Sequence, residues 1–318
     1  MSKAVVLLNM GGPSNLEEVR IFLKNMFADP NILTVKSSAL RWFIGGIIVI
    51  TRTKNAQSHY ELIGGSSPLL GISESLGAKL SSLMDEKIFL AMRYVPPFAK
   101  EAVKTMCEDE ISEVVLFPMY PHYSTTTTKS SIEDFYKETL KAGYHPKVHT
   151  IERYYKNRAF NELIVERIKE ALGEDDAKEF DLIFSAHSLP QKIIDAGDGY
   201  QREIEEHTQI LESMLYADAM RFRKTHLAYQ SKLGPMKWIG PSLEATLEKI
   251  AASNKKVIIY PISFTIDNVE TAYELDIEYR EVADGLEIKD YRVASCPNDS
   301  EEFARVIADI IDEKMGSE

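Results

Sequence analysis

The sequence has little cysteine, no excess of basic residues and no long hydrophobic run, and each of these features excludes a class of protein. Only two of the 318 residues are cysteine, Cys107 and Cys296, which is too few for a four-cysteine zinc or iron–sulfur site. Lys and Arg number 37 against 49 Asp and Glu, and a chain with a formal net charge of −12 is a poor general binder of nucleic acid. No segment reaches the roughly 18 consecutive apolar residues of a membrane span.

The amino terminus also lacks the features of a secretion signal. The stretch MSKAVVLLNMGG loses its apolar character at Gly11 and Gly12, and no small-residue cleavage site follows. This stretch therefore predicts a buried first strand. Two cysteines allow one disulfide, but nothing else in the sequence indicates an oxidising compartment, so we expect a cytoplasmic protein.

Short runs rich in β-branched residues alternate with longer amphipathic stretches along the chain. Most of the short runs are continuously apolar, as expected when helices cover both faces of a sheet. This alternation predicts an α/β fold with parallel sheets. The predicted strands are Val5–Asn9, Ile88–Tyr94, Val114–Met119, Leu182–His187, His226–Gln230, Val257–Ile262 and Lys289–Val293. The clearest predicted helices are Asn15–Met26, Lys100–Cys107, Asn161–Leu172 and Glu244–Ala252.

A weak internal repeat divides the chain into two similar halves. The run VVLFPMYP at Val114 resembles VIIYPISF, which begins 143 residues later at Val257. The alternative is a chance match between two apolar strands. The repeat predicts one domain over residues 1–147 and another over 148–318, with an extra segment at about residues 32–70 in the first. We expect the last helix of the chain to pack back on the first domain.

The extra segment contains a run that is almost entirely apolar, LRWFIGGIIVI (Leu40–Ile50), with Arg41 and Arg52 near its ends. Two interpretations stay open. The run forms a core helix, or it forms an exposed lip that holds a flat hydrophobic ligand or contacts a membrane surface. The side chains that would contact the membrane are Leu40, Trp42, Phe43 and Ile47.

Two motifs contain candidates for acid–base or metal chemistry. His187, in FSAHSLP, comes at the end of an apolar strand, where ligand sites of open α/β sheets lie, and it is either a ligand or proton carrier or a structural histidine. Glu270, Glu274 and Glu278, in DNVETAYELDIEY, recur every four residues and predict one acidic helix face. That face is either solvated or points inward at its start, where it would bind a cation or accept protons.

Two loops complete the set of candidates. Trp238 lies between two Gly-Pro steps in QSKLGPMKWIGPS, and it is either part of a plain turn or the wall of a site for a flat aromatic ligand. The hydroxyl-rich run PHYSTTTTKSS, which begins at Pro121, either binds an anionic group or caps a helix.

Together these motifs resemble the ferrochelatase family. The resemblance implies two similar Rossmann-like, chelatase-type domains, each a parallel sheet flanked by helices, with the active site in a cleft between them. It also implies a lyase that inserts ferrous iron into a porphyrin and releases two protons. The matching runs follow the family's order and approximate spacing from Val5 to about Ala294: LNMGGP, RTKNAQSHYELIGGSSP, MRY, FSAHSLP, QSKLGPMKWIGP and NVETAYELDIEY.

The resemblance implies roles for individual residues. His187 and Glu270 are the implied catalytic residues, and both handle the metal and the protons, with the division of work between them left open. Glu274 and Glu278 would continue from them as a path for ions or protons. The implied porphyrin-binding residues are Met10, Arg52, Tyr60, Ser67, Met92, Arg93, Trp238 and Phe264. Among these, Arg52, Tyr60 and Ser67 match the propionate end, and Phe264 matches a residue of the strand before NVET.

The sequence departs from the family pattern two residues before Glu270. Asp267-Asn268 stands where Asp-His is usual, and an asparagine cannot take up a proton near pH 7. This departure motivates one alternative to the protoporphyrin enzyme, a non-catalytic tetrapyrrole-binding protein. A further alternative is a chelatase that uses coproporphyrin or another metal. LNMGGP resembles the branch of the family that uses protoporphyrin.

We therefore expect protoporphyrin IX and ferrous iron as substrates, with no permanently bound cofactor. No cysteine cluster follows the last predicted helix, so we also expect no iron–sulfur cluster. Because no second apolar surface is left unexplained, the protein is expected to be a monomer. We expect it in the cytoplasm, with peripheral contact at the inner membrane face.

Overall fold

Two α/β units of similar design make up the fold, as seen in a computed structural model that describes residues 2–232, 234 and 236–316. The first unit comprises the chain up to residue 153 together with the residues from 299 onward, and the second comprises residues 154–298. The sequence-based boundary at residue 147 falls at the start of a strand of the first sheet, so the division lies a few residues further along the chain.

The first unit consists of a four-stranded parallel sheet with long helices between its strands. In chain order its elements are β1 (Lys3–Asn9), α1 (Leu16–Ala28), α2 (Ser38–Leu62), α3 (Leu69–Leu83), β2 (Lys87–Met92), α4 (Ala99–Glu108), β3 (Glu113–Pro118), a π-helix (Thr125–Lys129), α5 (Ser130–Ala142) and β4 (Lys147–Thr150). The strand order is β2-β1-β3-β4. The two central strands are the most deeply buried, because helices cover both faces of the sheet.

The second unit repeats this arrangement. Its elements are α6 (Arg158–Leu172), a 3-10 turn (Ala177–Glu179), β5 (Asp181–His187), α7 (Gln191–Asp195), α8 (Tyr200–Ala217), β6 (Lys224–Gln230), α9 (Leu243–Ala251), β7 (Lys256–Tyr260), a π-helix (Glu270–Glu278), α10 (Tyr279–Gly285) and β8 (Asp290–Val293). The strand order β6-β5-β7-β8 matches that of the first sheet strand for strand, and every pair is parallel. The two-half α/β architecture predicted from the repeat is thereby confirmed.

All seven predicted strands are present, with bounds that differ by at most two residues at either end. The strand that the sequence did not indicate is β4, whose four residues KVHT lack a continuous apolar run. It lies at the edge of the sheet, where one neighbour is enough to hold it. Such a short edge strand depends on tertiary pairing with β3, which sequence periodicity does not record.

The last helix, α11 (Glu301–Gly316), belongs to the first unit and packs against α3. Phe303 and Ile307 on this helix are fully buried. At the start of the segment, the Asp299 carboxylate accepts a hydrogen bond from Ser75 Oγ and pairs with Lys79. The expectation that the last helix packs back on the first domain agrees with these contacts.

The extra segment of the first unit forms the 25-residue helix α2. Glycine favours a close approach of α2 to α1, because a Cβ on Gly45 would stand 3.1 Å from the backbone oxygen of Phe27, a tight contact. The opposite side of α2 leaves large apolar side chains in solvent, with Trp42 74% and Ile50 75% exposed. The segment is therefore a surface helix with an apolar outer face. No helix among the described residues is both long enough and apolar enough to span a membrane.

A buried carboxylate ties together the amino-terminal ends of three strands in the second unit. The Asp181 side chain, at the start of β5, is wholly inaccessible. It accepts hydrogen bonds from Arg223 Nε at 2.7 Å and Asn254 Nδ2 at 2.7 Å, and His226 Nε2 lies 2.8 Å from its other oxygen. Burial by itself would raise the pKa of Asp181, but these donors outweigh it and the pKa lies below its usual value.

Replacing Asp181→Ala is expected to lower the free energy of unfolding by about 3 kcal/mol, because it leaves Arg223 and His226 without their buried partner. The exposed pair of Asp175 with Arg292 provides the control, and Asp175→Ala is expected to change stability by less than about 1 kcal/mol. Urea unfolding measures both values. Since the folded-state pKa of Asp181 is depressed, its stabilisation is present above about pH 4 and is lost as the pH falls. Equal losses in the two variants would contradict the role given to Asp181.

Candidate functional site

The carboxyl ends of two neighbouring strands bring the main candidate residues of the second unit together. β5 ends at His187 and β6 ends at Gln230, and these two residues are paired in the parallel register. The carboxyl edge of an open parallel sheet is where such folds place their ligands. His187 therefore occupies the position expected from its motif.

The imidazole of His187 is hydrogen-bonded to the carboxylate of Glu270, with 2.7 Å between Nδ1 and Oε2. The backbone of His187 is fixed on both sides: its N–H donates to Ser263 Oγ at 2.9 Å, and its carbonyl accepts from Tyr200 Oη at 3.0 Å. The two side chains remain partly accessible, 35% for His187 and 25% for Glu270. Because Glu270 occupies Nδ1, the nitrogen left to meet a ligand is Nε2.

Glu270 is the first residue of a π-helix, and Asn268 caps it. The Asn268 Oδ1 accepts the backbone N–H of Glu270 at 2.8 Å, and the Asn268 N–H donates to Thr271 Oγ1 at 2.9 Å. A short polar side chain before a helix satisfies backbone donors that have no intrahelical partner. Asn268 therefore has a structural role in placing Glu270, and asparagine suits that role without any proton transfer.

The acidic residues predicted to share an α-helical face lie on this π-helix instead, yet two of them still converge. The hydroxyl oxygen of Ser231 lies within hydrogen-bond distance of both the Glu270 and the Glu274 carboxylates, and its single hydrogen points to one of them at a time. The Ser231 N–H also donates to Glu274 Oε1 at 2.7 Å, and Gln230 Nε2 lies 3.2 Å from Glu274 Oε2. Glu278, one spacing further on, is exposed. The three carboxylates thus run from a partly buried position to solvent.

Burial and mutual charge shift the protonation of this cluster. Burial lowers the pKa of His187, but the Glu270 carboxylate and its hydrogen bond, with Glu274, outweigh this and raise it above the usual value. Burial raises the pKa of Glu270, but the charge of His187 and the bonds from His187 and Ser231 lower it overall. Burial and repulsion from Glu270 raise the pKa of Glu274 to about 7. The cluster therefore contains a hydrogen-bonded imidazole–carboxylate pair, with the histidine pKa raised and the carboxyl pKa lowered, and a second carboxyl that exchanges a proton near neutral pH.

His187 and Glu270 are predicted to bind the metal, and the described residues place no third His, Cys, Asp or Glu ligand with them. Among residues 2–232, 234 and 236–316, no group of three or more His, Cys, Asp or Glu side chains is placed to hold a metal ion. His187 and Glu270 provide two donors side by side.

The loop that contains Trp238 is fastened to the residues that follow His187. Backbone hydrogen bonds of 2.9 Å and 3.0 Å run from Gln191 to Lys237 and from Ile239 to Leu189. The loop is thus held beside the FSAHSLP motif, and Trp238 lies in it, partly buried. Of the surrounding Gly-Pro loop, Leu233 and Pro235 lie outside the described residues.

Phe264 does not lie in a strand, which corrects the prediction for that residue. β7 ends at Tyr260, and Phe264 follows in a turn closed by its N–H to the carbonyl of Pro261 at 3.0 Å. The cause is the proline, which has no N–H to continue the sheet. Phe264 is partly buried and comes directly after Ser263, the residue that holds the His187 backbone.

Three of the matching motifs meet at the carboxyl end of the first sheet. The backbone of Met10 accepts from the N–H of Tyr94 at 3.0 Å, which joins LNMGGP to MRY. Ser67 donates its N–H to Pro13 at 2.7 Å, and a Cβ on Gly12 would stand only 2.3 Å from Ser67 Oγ, so the chain needs glycine there. Tyr60 and Met92 have buried side chains, at 5% and 1% exposure.

Two arginines of the first unit differ in their surroundings. Arg93 is held by Asp29, with 3.0 Å between Nη2 and Oδ2, and by Asp134 at 3.5 Å, and its Nε donates to Ser130 Oγ at 2.9 Å. Arg52 is partly exposed on α2, and within the described part of the chain no carboxylate pairs with it. Arg52 is therefore the arginine of the two whose charge is not already neutralised.

The hydroxyl-rich run after β3 forms a short π-helix. Ser124 caps it by accepting the N–H of Thr126 at 3.1 Å, which agrees with the capping interpretation of this run.

Sequence reasoning missed the residues that hold the pair His187–Glu270 in place. Ser231, Gln230 and Ser263 contact His187, Glu270 or Glu274, yet none of them stands out by periodicity or charge. Gln230 and Ser231 are the first residues of the QSKLGPMKWIGP motif. Their position at the end of a predicted strand could have indicated that they lie near the site. The hydrogen-bond partners of Gln230 and Ser231 depend on the register between β5 and β6, which the motif does not encode.

Glu270→Gln is expected to lower the pKa of His187, because burial of the ring is then no longer opposed by the neighbouring negative charge. The measurement is an NMR titration of the histidine ring carbons. The control is Glu278→Gln, an exposed carboxyl of the same helix, which is expected to leave the titration of His187 unchanged. A His187 pKa that stays the same or rises in Glu270→Gln would contradict the pairing.

Solved structures of other chelatases share this fold. SirB from Bacillus subtilis with Fe3+ superposes with a TM-score of 0.60 at 8% identity, covering 99% of this chain and 96% of that chain. CbiX gives a TM-score of 0.51 at 13% identity, covering 98% and 99%. Such low identities establish the fold alone, and they confirm the two-domain chelatase architecture expected from the sequence.

Proteins of similar sequence identify the family of this chain. The chain is 53% identical to the ferrochelatase of a Nitratiruptor species over 309 residues, 97% of this chain and 98% of that protein. It is 51% identical to the ferrochelatase of Sulfurimonas denitrificans over 97% of this chain and 98% of that protein. A family model described as Ferrochelatase matches residues 2–315. The chain therefore belongs to the ferrochelatase family, lyases that insert iron into a porphyrin in haem synthesis.

Proposed function

We propose that this protein is a protoporphyrin ferrochelatase, which inserts ferrous iron into protoporphyrin IX to give protohaem and releases two protons. The hydrogen bond between His187 Nδ1 and Glu270 Oε2 is the observation that supports this proposal most directly. The reaction needs a group that holds ferrous iron as its waters leave and a base that accepts pyrrole protons. A ring nitrogen and a carboxylate side by side provide both.

In this proposal His187 presents Nε2 to the centre of the porphyrin, because Nδ1 is bonded to Glu270. The carboxylate orients the ring and stabilises the imidazolium that forms when a pyrrole proton is taken up. Protons then leave through Glu274 toward the exposed Glu278. A carboxyl with a pKa of about 7 is suited to this step, since it both gains and loses a proton at neutral pH.

Arg52 serves the anionic propionate end of the porphyrin in this proposal, together with Tyr60 and Ser67. The partly exposed guanidinium of Arg52 has no carboxylate partner within the described residues, so it is available for a charge-assisted hydrogen bond. Arg93 is already bonded to Asp29 and Asp134, so in this proposal it lines the pocket beside Met92 and leaves the propionates to Arg52.

The capping role of Asn268 supports the enzyme over a non-catalytic carrier. The absent histidine motivated that alternative, whereas the side chain present satisfies the backbone N–H of Glu270 at 2.8 Å. His187 and Glu270 keep their mutual contact with asparagine at this position.

Purified protein mixed anaerobically with protoporphyrin and ferrous iron is expected to convert the four-band porphyrin spectrum to the two-band metalloporphyrin spectrum over many turnovers. Coproporphyrin is expected to react more slowly. A porphyrin spectrum that shifts on binding without metallation would favour a carrier, and metallation of coproporphyrin alone would reassign the substrate.

His187→Ala is expected to lower kcat for iron insertion by about 10²- to 10⁴-fold, since it removes both a proton acceptor and a metal donor. His145→Ala, at an exposed histidine of the first unit, provides the control and is expected to retain the wild-type rate. An unchanged rate in His187→Ala would overturn the assignment of the site.

We also propose that the outer face of α2 contacts a membrane surface. This face presents Leu40, Trp42, Phe43 and Ile47, which are between 49% and 74% exposed. Transfer of such side chains from water into an apolar phase yields about 1.5–3 kcal/mol each. A peripheral contact of this kind would place a hydrophobic porphyrin near the lipid phase.

The triple variant Trp42→Ser, Phe43→Ser, Ile47→Ser is expected to bind lipid vesicles at least tenfold more weakly than the wild type, by the same transfer estimate of about 1.5 kcal/mol or more per side chain. The matched control changes three exposed apolar residues elsewhere in the first unit, Leu83, Tyr136 and Leu140, to serine. Vesicle co-sedimentation compares the three proteins. Equal binding by all of them would rule out contact through α2.

We place the protein in the cytoplasm, as a monomer in peripheral contact with the inner membrane face and without a nucleic acid partner. It works without an iron–sulfur cluster, with Cys107 exposed on α4 and Cys296 buried in the second unit, both as free thiols.

A further inference from the structure

We infer that Asn298 is a positioning residue for Glu270, because its side-chain amide holds the turn that leads into the π-helix of Glu270. Asn298 is the last residue of the second unit, and it lies 31 residues further along the chain than Asp267, the residue it contacts. The inference rests on the proposed function, since an effect on iron insertion is exerted through Glu270. It goes beyond the cap formed by Asn268 by naming the residue that holds the backbone before that cap.

The loop before Glu270, residues 261–269, connects β7 to the π-helix. Its first part is closed on itself by the N–H of Phe264, which donates to the carbonyl of Pro261 at 3.0 Å. The part nearer Glu270, residues 265–268, needs partners of its own, because backbone N–H and C=O groups that are buried without a partner are unfavourable. The position of Glu270 therefore depends on what holds residues 265–268.

Three hydrogen bonds join Asn298 to this part of the loop. The Oδ1 of Asn298 accepts the backbone N–H of Asp267 at 2.8 Å, and its Nδ2 donates to Asp267 Oδ2 at 2.6 Å. The backbone N–H of Asn298 donates to the carbonyl of Thr265 at 2.9 Å. Both ends of one amide are thus bonded to a single residue, while the backbone holds the residue two positions before it. We call these three bonds the Asn298 clamp.

Asparagine meets two separate requirements at position 298. The φ of Asn298 is +55°, in the left-handed region, which asparagine adopts more readily than most residues other than glycine. The clamp also requires a donor and an acceptor on one short side chain, and an amide provides both. Aspartate would provide acceptors only and would place a second negative charge beside Asp267, whereas glycine would fit the backbone without forming the side-chain bonds.

The Asn298 clamp is continuous with the site. Asp267 is followed by Asn268, whose Nδ2 donates to the carbonyl of Ile266 at 3.2 Å and whose Oδ1 accepts the N–H of Glu270 at 2.8 Å. The Glu270 carboxylate in turn lies 2.7 Å from His187 Nδ1. Because a displacement of about 1 Å can lower the rate of an enzyme about 100-fold, loss of the clamp is expected to slow iron insertion through the position of Glu270.

Asn298→Gly separates the amide from the backbone, because glycine adopts the left-handed φ without strain. In anaerobic iron insertion this variant is expected to lower kcat about tenfold or more, with KM for porphyrin within about threefold of the wild type. Crystal structures of the two proteins provide a readout that does not require activity. Glu270 Oε2 is expected to lie 2.7 Å from His187 Nδ1 in the wild type and beyond hydrogen-bond reach, more than about 3.2 Å away, in Asn298→Gly.

An exchange of the two side chains tests the pairing itself. Asn298→Asp alone places two carboxylates face to face and is expected to be about as slow as Asn298→Gly. The double variant Asp267→Asn, Asn298→Asp again sets an amide donor opposite a carboxylate acceptor, and the carboxylate at position 298 still accepts the backbone N–H of residue 267. It is expected to recover kcat at least about threefold over Asn298→Asp, which a general loss of stability would not produce.

Glu287→Gly is the matched control, because Glu287 is an exposed residue of the second unit with a φ of +57° outside the site. It is expected to keep the wild-type kcat. Three results would each overturn the inference: an Asn298→Gly enzyme within about twofold of the wild type, an unmoved Glu270 in its crystal structure, or a double variant no faster than Asn298→Asp. Failure of the proposed function is distinct, since the wild-type protein would then insert no iron, and the crystal structures would still decide the position of Glu270.

Discussion

The contact between His187 and Glu270 joins two segments that are 83 residues apart in the chain, and the rest of the second unit is organised to maintain it. β5 must end at the imidazole, the turn after β7 must present Ser263 to its backbone, and the following π-helix must begin at the carboxylate. Each of these conditions is met by a hydrogen bond to the backbone. The backbone on either side of the pair is therefore held by hydrogen bonds, while both side chains remain partly accessible.

Holding two carboxylates beside this histidine is electrostatically unfavourable, and the fold offsets the repulsion locally. Glu270 is balanced by the charge of His187, while Glu274 is bonded by Gln230 and Ser231. The π-helix spaces the acids so that two of them share one serine, and such helices are often found at functional sites. The result is a graded series of protonation properties along a single helix, from a carboxylate with a lowered pKa to one that titrates near 7.

The first unit differs in having an exposed apolar surface on α2. Its sheet is buried on both faces, but α2 leaves a row of large apolar side chains in water, which is unfavourable for a protein that acts alone. Arg41 secures the start of this helix by donating to the carbonyls of Ala28 and Val35. The exposed row thus lies on a helix whose start is anchored to the chain before it.

The sequence by itself determined the alternation of strands and helices, the two-half repeat and the family, because continuous apolar runs and short motifs are local properties. It also identified His187 and Glu270 through their motifs. It did not indicate the edge strand β4, which forms only by pairing with β3, or the π-helical form of the acidic segment. Tertiary structure alone decided that Asn268 is a cap and that Ser231 bridges two carboxylates, because hydrogen-bond partners depend on strand register and backbone dihedrals that bring distant residues together.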